Sequence, residues 1–231
     1  MTTRGSGSDD PFEPLNRAVF DVNQTLDGAV IRPIAEVYRA TVPKFIRDRI
    51  RSVIDNLAEP RIFVNDLLQG RVNAGGMTFT RFLVNTIGGL GGMFDVASTY
   101  GFPRQTGDFG QTLHAWGVAD GPYVVLLFFG PSNVRDAVGL GVDLTTTPPS
   151  LIVHGDVGLA INFAVGTIDG MDQRSRNIES LDEIKNDALD FYSRMRSLWR
   201  QQRRVQLQDA REVKQEPEEL LDPGTLNVPP P

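Results

Sequence analysis

The chain has no cysteine, which excludes a disulfide framework, thiolate catalysis and cysteine-ligated zinc. Histidine is scarce too: His114 and His154 lie far apart in sequence and read as hydrogen-bonded structural residues, not as ligands or bases. The longest unbroken apolar run is Val124–Phe129, far short of the about 18 residues that a membrane-crossing helix needs. The opening MTTRGSGSDD lacks the apolar stretch of a signal peptide. The sequence is therefore either cytosolic or one whose targeting segment has been removed. Positive charge is in deficit, with a net charge of -6, which argues against broad binding to nucleic acid. The motifs HExxH, GxxxxGK(S/T) and GxSxG are missing. No enzyme activity, cofactor or metal is expected, and no fixed internal period suggests a solenoid.

What is present describes a helical chain with many breaks. At 231 residues it is long enough for one substantial domain or two small ones. Its 23 glycines and 15 prolines punctuate apolar stretches, which argues for short helices over disorder. We expect a mostly α fold: one domain over 10–207, a disordered segment at 1–9, and an acidic, proline-containing disordered tail at 208–231. Asp10 before Pro11 reads as a helix cap, with helix to about Leu26 and again from Pro33 to Thr41. After Pro43, Phe45, Ile46, Ile50, Val53, Ile54 and Leu57 recur at helical spacing. Pro60 is expected to start a separate helix to Leu68, followed by a helix over 71–87. Asp108 is expected to cap a short helix to Trp116. Tyr123–Phe129 suits either a strand or a helix, and Pro131-Ser132 reads as the start of a helix to Leu140. After a break at Thr145–Pro149, Leu151–Ile168 reads as an apolar helix. From Asp172 onward one or two amphipathic helices follow.

Two features bear on function. Asn85-Thr86 leads into Gly88-Gly89-Leu90-Gly91-Gly92-Met93-Phe94-Asp95. Each glycine costs a helix about 1 kcal/mol relative to alanine, so the segment must serve a bend, a close approach or a movement. The stretch from Ala137 to Gly170 is apolar and nearly uncharged, which suits either a deeply buried helix or one facing lipid. Arg194, Arg196, Arg200, Arg203 and Arg204 make a cationic helix end. It is either a solvated face or a contact for anionic headgroups or an acidic partner.

A set of ordered motifs carries a family resemblance. It comprises Asp10-Pro11-Phe12-Glu13 with Asn16-Arg17, Arg32-Pro33, Asn65–Gly70, Arg81–Thr86, Gly91–Ala97, Asp108–Leu113, Trp116-Gly117, Gly121-Pro122-Tyr123, and Gly130-Pro131-Ser132 with Arg135-Asp136. In this order and spacing, from about residue 10 to 205, the chain resembles the VacJ/MlaA lipoproteins of Gram-negative bacteria. The resemblance implies a ring-like domain of many short amphipathic helices in the inner leaflet of the outer membrane, on its periplasmic side. It also implies a trimeric porin as neighbour, and a central amphipathic channel for phospholipids that have strayed into the outer leaflet. A periplasmic lipid-carrier protein then receives them, so that lipid asymmetry is maintained. The alternative is a porin-associated scaffold without lipid transport. Family members usually carry a lipidated cysteine, absent here, and Leu127 stands where a proline is common. We expect Asn85, Thr86, Gly88, Gly89, Leu90, Gly91, Gly92, Met93, Phe94 and Asp95 to line or gate the channel. Asp108, Phe109, Gly110, Gln111, Gly121, Pro122 and Tyr123 are expected to brace it.

Overall fold

The structure, a computed structural model, describes residues 10–146 and 156–215. The disorder expected at residues 1–9 and from 216 onward, and the expected helix start at Leu151, lie outside the described residues. The fold is mostly α, as expected. Helix α1 (Glu13–Leu26) passes through a π-helical segment (Asp27–Ile31) into α2 (Arg32–Thr41). Two separate helices were expected here. The wider π turn, in which the Arg32 N–H donates to the Asp27 carbonyl, makes room for Pro33, which lacks an N–H and would crowd the carbonyl of an ordinary turn. Asp10 is not the cap of α1. It is buried and accepts from Asn16 Nδ2 at 2.8 Å, from Arg196 at 3.0 Å and from the Tyr192 hydroxyl, tying the start of α1 to the last helix.

Helix α3 (Lys44–Leu68) runs unbroken through Pro60, against the expectation of two helices. Side-chain bonds to α4 (Val72–Ile87) on both sides of the proline hold it as one rod. Asn56 donates to Thr86 at 3.0 Å, Arg81 to Glu59 at 3.0 Å, and Thr78 to Asp66 at 2.9 Å. After α5 (Val96–Thr99) comes α6 (Phe109–Ala115). Asp108 caps it by accepting from the Gln111 N–H at 2.8 Å, as the sequence suggested.

The stretch that suited strand or helix is a strand, β1 (Tyr123–Leu126), paired antiparallel with β2 (Gly130–Asn133). Pro131 and Ser132 therefore lie in a strand, opposite Val125 and Val124, and do not open a helix. A two-stranded sheet has only edge strands, which tolerate proline's missing donor. Asn133 is the true cap of α7 (Val134–Thr145), accepting from the Asp136 N–H at 2.7 Å. Helix α8 (Asp156–Arg176) is followed by α9 (Ile178–Asp187) and α10 (Phe191–Gln215), which extends beyond the boundary expected at 207. Contacts close a circuit: α3 meets α6, α6 meets α10, α10 meets the hairpin, and the hairpin meets α1. The π segment and α2 then lead to α8, which returns to α3. Among the described residues, an apolar core cluster joins Phe20, Tyr123, Val125 and Tyr192.

Candidate functional site

Residues 85–95 form one unit, but a tightly bonded one. The Gly91 N–H donates to the Thr86 carbonyl at 2.9 Å, Gly92 to Asn85 at 2.9 Å, and Phe94 to Gly89 at 3.0 Å. Leu90, Gly91 and Gly92 take φ of 53°, 73° and 88°, the left-handed region that favours glycine. A Cβ on Gly89 would press on the carbonyls of Asn85 and Phe94, and one on Gly92 would lie 2.7 Å from Asn56 Cγ. Buried Asn85 donates to Asp95 at 3.1 Å and accepts from the Ala97 N–H at 2.8 Å. Burial pushes the Asp95 carboxyl up, but the bonds from Ser98 and Asn85 and the Arg81 charge outweigh it and hold it below the usual range. Arg81 is buried and also donates to Ser98 Oγ at 3.1 Å and the Phe102 carbonyl at 2.6 Å. A gate at Gly88–Asp95 would have to break these bonds. What the turn presents outward is apolar: Ile87, Leu90, Met93 and Phe94 are exposed. Arg49 lies between the rings of Phe45 and Phe94, at 5.2 and 4.6 Å, and donates to the Met93 carbonyl at 3.0 Å.

The residues expected to brace this turn have their partners on other elements. Arg203 of α10 grips Asp108 at 2.6 and 2.8 Å and Asp136 at 2.8 and 3.0 Å. Gly110 lets α6 cross α7 closely, since a Cβ on Gly139 would lie 2.7 Å from the Gly110 Cα. The Phe109 N–H donates to Asp143 at 3.0 Å, and Gln111 is buried. Gly121 turns the chain with φ 69°, and the Pro122 carbonyl accepts from the Val134 N–H at 3.1 Å. Tyr123 packs edge-on against Tyr192 and Trp199. These residues build the junction of α6, α7, the hairpin and α10. The cationic run of α10 splits: Arg196 and Arg203 turn inward to carboxylates, while Arg194 and Arg204 are exposed. His114 is structural, with Arg135 3.0 Å from its Nδ1, and His154 lies outside the described residues.

The structure adds an amphipathic cavity of about 250 Å³ that the sequence did not single out. Phe20, Leu26, Phe129, Phe191 and Met195 give it apolar walls. Arg32, Asp182, Arg174 and Asp27 give it a charged rim, paired as Arg32–Asp182 at 2.8 Å and Arg174–Asp27 at 2.7 Å. Gly28, in the π segment, has open space where a side chain would stand. The cavity lies between the π segment, the hairpin tip and α8–α10. Its local signals were faint: a glycine inside a helical run, and Phe128-Phe129-Gly130.

The distribution of side chains is inverted relative to a water-soluble domain. Among the described residues, buried polar and charged side chains outnumber buried apolar ones. Large apolar side chains stand outside on several helices, including Ile34 and Val37 on α2, Phe45 on α3, Leu90 beyond α4, and Phe163 on α8, 78% exposed. No described helix is long and apolar enough to cross a membrane. The sequence model of the MlaA lipoprotein family matches residues 8–206. The intermembrane phospholipid transport system lipoprotein MlaA of Shigella flexneri is 33% identical over 201 residues, covering 85% of this chain and 78% of its own. The protein of the same name from Haemophilus influenzae is 30% identical over 227 residues, covering 95% and 89%. A solved structure described as the structural basis for maintenance of bacterial outer membrane lipid asymmetry superposes with a TM-score of 0.74. It is 33% identical and is matched over 86% of this chain and 98% of that one. With its family match and these relatives, the chain belongs to the MlaA lipoprotein family.

Proposed function

We propose that this chain is the outer-membrane component of an intermembrane phospholipid transport system. It lies in the inner leaflet on the periplasmic side and removes phospholipids from the outer leaflet without breaking a bond. The observation that carries this reading is the inverted distribution of side chains around an amphipathic cavity. Exposed apolar side chains are stable against acyl chains, where each large one gains roughly 1.5–3 kcal/mol relative to water. The short amphipathic helices can lie in one leaflet with their polar faces turned inward. The cavity at the π segment offers apolar walls to lipid tails and paired charges to a headgroup. In this reading the rigid 85–95 turn is an apolar edge of the lipid route and not its moving part, and the α6–α7–α10 junction keeps the ring closed. A trimeric porin beside the exposed apolar belt and a periplasmic lipid-carrier protein as acceptor complete the proposal.

The test is native mass spectrometry with lipid extraction of the protein purified from membranes in mild detergent. Stoichiometric phospholipid is expected. Gly28→Trp, which projects an indole into open space without strain in the backbone, should remove most of it from a protein of unchanged helicity. Loss on Gly91→Phe but not on Gly28→Trp would move the route to the glycine turn. A folded, lipid-free protein would overturn transport and leave the scaffold reading.

A further inference from the structure

Helix α3 begins with cations where a helix least favours them. The positive pole of the backbone dipole lies at the N-terminus, yet Lys44 and Arg47 stand in the first turn, no acid does, and Arg49 follows. Among the described residues no carboxylate pairs with Arg47 or Arg49. Asp48 is shared by Lys44 at 2.7 Å and Arg176 at 3.0 Å, and Asp55 by Arg51 at 3.1 Å and Arg104 at 2.6 Å. Elsewhere in the chain Arg17, Arg32, Arg81, Arg174 and Arg203 each grip a carboxylate. Arg49 is held differently, between the rings of Phe45 and Phe94, with its Nη1 donating to the Met93 carbonyl. Ring faces and a carbonyl meet its charge with dipoles and not with an anion. The surroundings of this cation are apolar: Phe45, Ile46, Ile87, Leu90, Met93 and Phe94 are all exposed. The turn that carries the last four is fixed by the backbone bonds of Gly91, Gly92 and Phe94, so the patch is presented already ordered. None of these residues lines the cavity at the hairpin tip.

We propose that the start of α3 and the 85–95 turn form a binding surface for anionic phospholipid of the leaflet, with Arg49 donating to a lipid phosphate and Arg47 adding attraction from the same end of the helix. The inference rests on the membrane location proposed above and adds to it a lipid charge and a contact residue. The exposed apolar side chains enter the acyl region, and the guanidinium fixed behind them stands at the level of the headgroups. A guanidinium has five N–H donors in a planar fork that matches two oxygens of a phosphate, and the Met93 carbonyl takes up one of its two Nη nitrogens. An anionic leaflet repels a chain of net charge -6 as a whole, so attraction has to come from a local patch where cations are left unanswered. A zwitterionic headgroup brings an ammonium as well, and the nearby Asp48 already serves two cations. An anionic headgroup brings only the charge that Arg47 and Arg49 lack.

The full chain is diluted out of mild detergent into vesicles of phosphatidylcholine, or of phosphatidylcholine with about one-third phosphatidylglycerol, at about 0.1 M salt, and floated. Partitioning onto the anionic vesicles should exceed that onto phosphatidylcholine by about tenfold or more, since each cation near the surface contributes about fivefold. R47Q/R49Q should lose most of that excess while keeping its partitioning onto phosphatidylcholine. R47Q alone, which breaks no bond of the turn, should lose about fivefold and keeps the test open if the double variant unfolds. The control R194Q/R204Q removes two exposed cations of α10 and should retain the excess. No excess for the wild-type chain overturns the inference, while flotation with both kinds of vesicle leaves the membrane location standing. Flotation with neither overturns both. An excess undiminished in R47Q and in folded R47Q/R49Q, or diminished equally in R194Q/R204Q, assigns the attraction to the molecule at large and overturns the site.

Discussion

At Gly92 two demands meet that no other residue satisfies. Its φ is 88°, and a Cβ would collide with the side chain of Asn56, the residue whose amide holds Thr86. Gly91, its neighbour, has φ 73° but open space around its Cβ position. The two glycines therefore separate backbone strain from packing. Gly91→Ala should lose about 1–2 kcal/mol, the cost of a left-handed alanine. Gly92→Ala should lose that and roughly 1–3 kcal/mol more for the overlap. Denaturant unfolding in detergent checks the ordering; equal losses would mean that Asn56 yields without effect. The same residue scale explains why the glycine cluster was legible but its behaviour was not. Four glycines in five positions announced a special backbone, but of the residues that staple it Asn56 carries no mark in the sequence, and Arg81 stands out only as the start of the Arg81–Thr86 motif.

At the scale of elements, Arg203 binds the starts of two helices at once, through Asp108, the cap of α6, and Asp136 in the first turn of α7. Burial pushes the Asp108 carboxyl up, but Arg203 outweighs it and holds it below the ordinary value. A carboxylate so depressed contributes its full stabilisation above the unfolded value of about 4, and loses it as pH falls through the lowered native value. Asp108→Asn should destabilise by roughly 2–3 kcal/mol at pH 7. The gap to wild type should stay constant down to about pH 5 and close below about pH 4. Unfolding midpoints across that range decide it; a gap that persists in acid would assign the loss to helix capping alone. Asp108 was readable as a cap because capping is local. Pro60 and Pro131 were misread for the converse reason: their local signals were overridden by bonds between α3 and α4 and by the pairing of β1 with β2. The amphipathic cavity was least legible of all, since its walls come from the π segment, the hairpin tip and the last three helices, and periodicity within any one of them says nothing of the others.

For the whole molecule, the distribution of polar groups decides the environment. Buried carboxylates such as Glu59 and Asp66 have their pKa values raised by burial, with Arg81 and Thr78 offsetting part of that rise. A fold that spends its interior on such pairs has little apolar burial there to hold it together, and must bury apolar side chains elsewhere. The exterior supplies them. On the 85–95 turn, Ile87 is 77% and Leu90 68% exposed, with Arg49 fixed between Phe45 and Phe94 behind them. An apolar tip backed by a guanidinium fits the level at which headgroups meet acyl chains. If the tip enters a leaflet, the double substitution Ile87→Glu/Leu90→Glu forfeits roughly 3–6 kcal/mol of membrane transfer, which is about a hundredfold or more in partitioning. Both side chains point outward and neither is buried in the fold, so helicity should be unchanged. Flotation with phospholipid vesicles reads the difference: the wild-type chain should float and the double variant should remain in the dense fraction. Equal flotation of a folded variant would show that the turn faces water or another protein, and the lipid-facing surface would then have to rest on α1, α2 and α8.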